Sequence, residues 1–108
     1  MALQHLQTQP IQTNWHRGNA GETCDTVCGK LERSCNSEQQ SLLTTENKVR
    51  SKFLEAGYTC RGFHDARDFG GAPFSTGRDD DCGPIIAGKK SVCDQNVYSN
   101  HHALCFCE

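Results

Sequence analysis

The chain has 108 residues, 11 basic and 13 acidic, for a net charge of -2, and its hydrophobic fraction is 35% with the cysteines counted in. That length suits one domain with a thin core, and the near-neutral balance, with no basic stripe along any helical face, excludes nucleic acid as a partner. No run of about eighteen apolar residues exists, so no helical membrane span is expected.

Residues 1 to 14 are polar, without a period, and read as a disordered arm; the domain proper is expected over 15 to 108, opening at the single tryptophan, Trp15. The Gln-rich start, Met1 to Gln12, lacks the apolar stretch of a secretory signal. A disulfide-bonded protein then implies that a signal has been removed or that the chain is a domain of a longer one.

Cys24, Val27, Cys28, Leu31 and Cys35 recur with the 3.6-residue period of one helix face, so a first helix is predicted over 24 to 35, capped by Thr23. A second is predicted from Thr45 to Ala56 around Val49 and Phe53, with Gly57 at the C-terminal stop. Ser37 with Gln40 forms a capping-box pattern that offers an earlier start near Glu38. From Thr59 to Gly88 six glycines and two prolines break every period, which predicts loop with one short strand at Thr59 to Phe63. Ala103 to Cys107 alternates as a strand does, with Cys105 and Cys107 on one face and Leu104 and Phe106 on the other.

The eight cysteines, Cys24, Cys28, Cys35, Cys60, Cys82, Cys93, Cys105 and Cys107, dominate the chemistry. An even number at this density, with uneven gaps, reads as four disulfides and an oxidising compartment, extracellular or in the secretory-pathway lumen. Nesting alone suggests Cys24 and Cys28 with Cys105 and Cys107, Cys35 with Cys60, and Cys82 with Cys93. The expected fold class is small, disulfide-rich α+β with two helices, short strands and long cross-linked loops.

Zinc is the first alternative use of the sulfurs, since His101 and His102 precede Cys105, but the Cys-x-Cys pair matches no standard zinc spacing. Asp79, Asp80 and Asp81 lack the alternation and central glycine of a calcium loop. A cysteine nucleophile would need a spare thiol, and an even count offers none. No catalytic residue, metal or cofactor is therefore assigned, and the chain is read as not an enzyme.

What remains is the Gly-rich loop 61 to 81, where Arg61, His64, Arg67, Asp68, Phe69, Phe74 and Arg78 combine aromatic area with directed hydrogen bonding, the material of a recognition surface. The competing reading is that Phe63, Phe69 and Phe74 fill the core. The expected function is a monomeric, non-catalytic secreted or lumenal module binding a glycan or a protein. The second expectation is a small secreted effector, such as a protease inhibitor or defence protein.

The order Cys24-x3-Cys28-x6-Cys35, long gaps to Cys60 and Cys82, gaps of ten and eleven to Cys93 and Cys105, and a closing Cys-x-Cys resembles a known pattern. Together with Gly21-Glu22-Thr23-Cys24 and Val27-Cys28, it is similar to the cysteine-rich C-terminal region of the N-glycan branching β-1,6-N-acetylglucosaminyltransferase of the Golgi. The resemblance spans Gly21 to Cys107. It implies a shared disulfide frame, a lumenal or secreted setting and an accessory role, and it carries over no catalytic residue, because that family's transferase chemistry lies in a separate domain.

Overall fold

The computed structural model describes residues 13–66, 70–76, 81–95 and 97–108. Three helices, α1 (Cys24–Lys30), α2 (Ser37–Gln40) and α3 (Glu46–Glu55), accompany five strands, β1 (Trp15–Arg17), β2 (Gly62–Phe63), β3 (Phe74–Thr76), β4 (Asp81–Gly83) and β5 (His101–Phe106). The strands form one sheet in the order β1-β5-β3-β4-β2. Neighbours run antiparallel except β2 and β4, which are parallel. The α+β class holds, with one helix and considerably more sheet than the sequence led us to expect. The stretch 59 to 88 contains three strands where one was expected: β2 lies within the predicted 59 to 63, and β3 and β4 are too short to show a period of two.

The alternation along β5 divides the core. Ala103, Cys105 and Cys107 pack with Phe74 of β3 against Cys24, Val27 and Cys28 of α1. Leu104, with Phe106 beside it, packs with Trp15, Leu43 and Cys82 against Val49 and Phe53 of α3. The sheet is thus covered on both faces, by α1 on one and α3 on the other. Close approach on the α1 side depends on Gly18, whose N–H donates to Ala103 O at 2.9 Å. A methyl group there would stand 2.6 Å from Val27 Cγ2.

α3 forms where the sequence places it. Its N-cap Thr45 accepts the Lys48 N–H, and Val49 and Phe53 are fully buried. The Ser37 and Gln40 capping box does not form: α2 is a separate turn capped by Asn36, whose side chain accepts from the Glu38 and Gln39 N–H groups, while the Gln40 amide bonds Ser91 and Phe106 instead. α1 stops at Lys30 instead of running to Cys35. Leu31 N–H folds back to Cys28 O, and Glu32 takes a left-handed φ of 58°, which breaks the helical path and frees Cys35 to pair with Cys107 as an isolated bridge.

Two of the four disulfides, Cys24 to Cys105 and Cys28 to Cys107, join the partners expected from nesting. The other two are corrected: Cys35 bonds Cys93, and Cys60 bonds Cys82. Cys60 sits just before β2, whose parallel register sets Phe63 opposite Cys82. Cys35 is brought to the 91–93 segment by α2, where Gln40 Nε2 donates to Ser91 Oγ at 2.8 Å and Ser91 N–H donates to Ser41 Oγ at 2.8 Å. Thr13 and Asn14, placed in the arm by sequence, are tied down: Cys107 N–H donates to Asn14 O at 2.7 Å, and Asn14 Nδ2 donates back to Cys107 O at 2.9 Å. The remainder of the arm, residues 1–12, lies outside the described residues.

Candidate functional site

Of the seven loop residues singled out by sequence, Arg61, His64 and Phe74 can be placed; Arg67, Asp68, Phe69 and Arg78 lie outside the described residues. Arg61 is exposed just ahead of β2. Phe74 is buried in the centre of the sheet, between β5 and β4, so it belongs to the core and not to an exposed recognition surface. Its ring nevertheless organises what surrounds it. His64 follows β2, anchored by its N–H to Cys82 O at 2.8 Å, and stacks on Phe74 at a centroid distance of 6.1 Å and 29°.

On the other side of Phe74 stands His101, at 4.8 Å, and Tyr98 meets His101 edge-on at 5.2 Å. The four rings make a row that runs from the buried sheet to Tyr98, which is 67% exposed. Gly83 makes room for it, since a methyl group at that position would press within 3.3 Å of Phe74 Cζ. Gly62 likewise leaves space for the Asp81 carboxylate, whose Oδ1 lies 2.3 Å from where a Cβ would stand.

Two polar atoms beside this row lack partners. His64 Nε2 and Thr76 Oγ1 are shielded from solvent and make no hydrogen bond among the described residues, and Thr76 is only 6% exposed. Phe74 and Thr76 are two apart on β3 and so share a sheet face. An unsatisfied buried donor or acceptor costs roughly 1 to 3 kcal/mol, so each such group marks a place where the molecule retains polarity without an internal use for it. Thr76, Tyr98 and His101 escaped the sequence reading as members of a binding surface. Thr76 closes a three-residue strand with no visible pattern, and His101 stood out only as a prospective zinc ligand.

The zinc alternative does not survive the geometry. His101 and His102 are adjacent on β5 and point to opposite faces; His102 Nδ1 lies 2.9 Å from Gly18 O, while His101 packs on Phe74. All eight cysteines are in disulfides. Asp25, Cys35 and Cys93 cluster closely enough for a metal, but the two sulfurs are bonded to each other and offer no thiolate. Asp79 and Asp80 lie outside the described residues.

Away from the ring row, two groups are tuned by their surroundings. His16 on β1 is held below the usual histidine value, chiefly by burial and then by the Arg33 guanidinium, against a smaller opposing effect of the Thr13 backbone. Glu22 is held below the usual carboxylate value, first by its hydrogen bond from Lys30 and then by the Asn19 N–H.

Comparison with protein-family models and with curated proteins finds no match for this chain.

Proposed function

We propose that this chain is a non-catalytic module of the extracellular space or the secretory-pathway lumen that binds a glycan at the ring row beside the 61 to 81 loop. Four disulfides in a small α+β domain are typical of proteins in those compartments. The observation that carries the ligand class is an exposed aromatic end, Tyr98, with two polar atoms in the same region, His64 Nε2 and Thr76 Oγ1, that have no hydrogen-bond partner among the described residues and that binding would have to uncover. A sugar ring offers an apolar C–H face to an aromatic side chain and hydroxyl groups to waiting donors and acceptors. The eight-cysteine resemblance supports the same reading, as an accessory module of a glycan-handling family. A disulfide-rigid frame also suits binding, because it limits the ordering entropy lost on association.

The test is a glycan array probed with the oxidised chain, followed by two variants on the best ligand. Thr76→Val keeps shape and removes the unpartnered hydroxyl, so it should leave thermal stability unchanged or raised. Binding should weaken about three- to tenfold, the effect of one lost hydrogen bond. Tyr98→Ala, at an exposed position, should weaken binding without unfolding. A Thr76→Val variant that binds like wild type removes the ligand reading. An array without hits, combined with stoichiometric inhibition of one enzyme in a protease panel, would replace it with the effector reading.

A further inference from the structure

A cavity on the opposite side of the sheet from the ring row opens between α2, the turn after it and α3. It measures about 490 Å³, within the range of small-molecule sites. Its floor is Trp15 and Leu43, both buried, and Leu42 stands in its wall with 58% of its surface exposed. α3 turns Val49 and Phe53 toward the core and lines the cavity with Asn47, Lys48 and Lys52.

The charge of this lining is one-sided. Among the described residues, no acidic one contributes to it. Lys52 shares its charge with Glu55 at 2.8 Å, whereas Lys48 makes no ion pair among the described residues. Asn47 and Lys48 stand in the first turn of the ten-residue α3, whose dipole adds positive potential at that end. The acidic neighbours on these helices, Glu38 and Glu46, do not line the cavity. An apolar floor under a cationic rim is complementary to a molecule with an apolar body and one negative head.

We propose that this cavity binds a small amphipathic anion, an alkyl or aryl carboxylate whose body lies on Trp15, Leu42 and Leu43 and whose carboxylate meets the Lys48 ammonium. The volume suits a free small molecule. This site shares no residue with the ring row and stands independently of the glycan reading.

Trp15 is the only tryptophan in the chain, so its emission reports on this floor alone. The oxidised full chain is titrated with decanoate, and in parallel with decyltrimethylammonium, which has the same tail and the opposite charge. Decanoate should give a saturable change in Trp15 emission, about tenfold tighter than the cation. Lys48→Glu should weaken decanoate by about tenfold while the thermal midpoint stays in place, and Leu42→Ser, also exposed, should weaken both probes. Equal responses to the two probes, no saturation with decanoate, or a Lys48→Glu variant that binds like wild type would each overturn the proposal. Sedimentation showing a dimer that decanoate dissolves would overturn it as well, by making a second copy the occupant.

Discussion

Gln40 Oε1 accepts the backbone N–H of Phe106 at 2.9 Å, across 66 residues of sequence. The other end of the same amide donates to Ser91 Oγ at 2.8 Å, and the side chain is 1% exposed. One buried amide therefore joins α2, the terminal strand and the segment leading to Cys93. Gln40→Leu keeps the volume and leaves the Phe106 N–H without this acceptor. The expected loss is about 2 to 4 kcal/mol, measured by chemical denaturation. A loss below about 0.5 kcal/mol would show that the amide is replaceable by water.

Cys24 and Cys28 are one helical turn apart, and their partners Cys105 and Cys107 are two strand residues apart. Four helical residues advance ~6 Å and two strand residues ~6.7 Å, so helix and strand stay in step and both bridges close without distortion. The two bridges are also redundant. With either in place, the other closes a ring of about eight residues, worth roughly 2.5 kcal/mol in the chain-entropy model, whereas the first, with Cys35 already joined to Cys93, closes a ring of about 25 residues worth about 3.5 kcal/mol. Removing both pairs as Cys→Ala should therefore cost about 1 kcal/mol more than the sum of the separate removals. Additive losses would contradict the entropic account.

Acid should weaken the fold in two stages. The His16 value is lowered in the folded chain, so the unfolded chain takes up its proton first. Stability then falls as pH drops through the ordinary histidine value and levels off below the folded one. Glu22, also lowered, contributes stability that is present above the ordinary carboxylate value and is lost as pH falls through its folded value. His16→Gln should flatten the first stage and leave the second. Denaturation midpoints at a series of pH values read this directly; an unchanged slope between neutral and mildly acidic pH in the variant would place the effect elsewhere.

Gly18→Ala tests the seam between α1 and the sheet. The added methyl meets the buried Val27 side chain at 2.6 Å, and Val27 is fixed by the two flanking disulfides of its helix. The expected cost is about 1 to 3 kcal/mol from overpacking. A neutral result by thermal melting would mean that α1 can shift despite its bridges.

By itself the sequence determined what local rules can express. The 45 to 56 helix follows from apolar spacing and a threonine cap, the alternation of 103 to 107 from a period of two, and the oxidised state from the number and density of sulfurs. The joining of Cys24 and Cys28 to the terminal pair was also expected from the order of the cysteines, but two such pairs can be joined in two ways, and only the parallel run of α1 beside β5 selects Cys24 with Cys105 and Cys28 with Cys107. Tertiary structure alone decided the rest. Cys35 looked helical, but a left-handed Glu32 removed it from α1, and its partner was chosen by a buried Gln40 and Ser91 that no sequence period distinguishes. Of the three short strands between 62 and 83, β2 falls inside the stretch 59 to 63 that the sequence marked as a strand, but β3 and β4 have no signal of their own, since three residues become a strand only when neighbouring backbone supplies their hydrogen bonds. For the same reason Phe74, conspicuous in a glycine-rich stretch, proved to be core. The ring row and the lysine-rimmed cavity exist only because strand order and helix packing bring distant residues side by side.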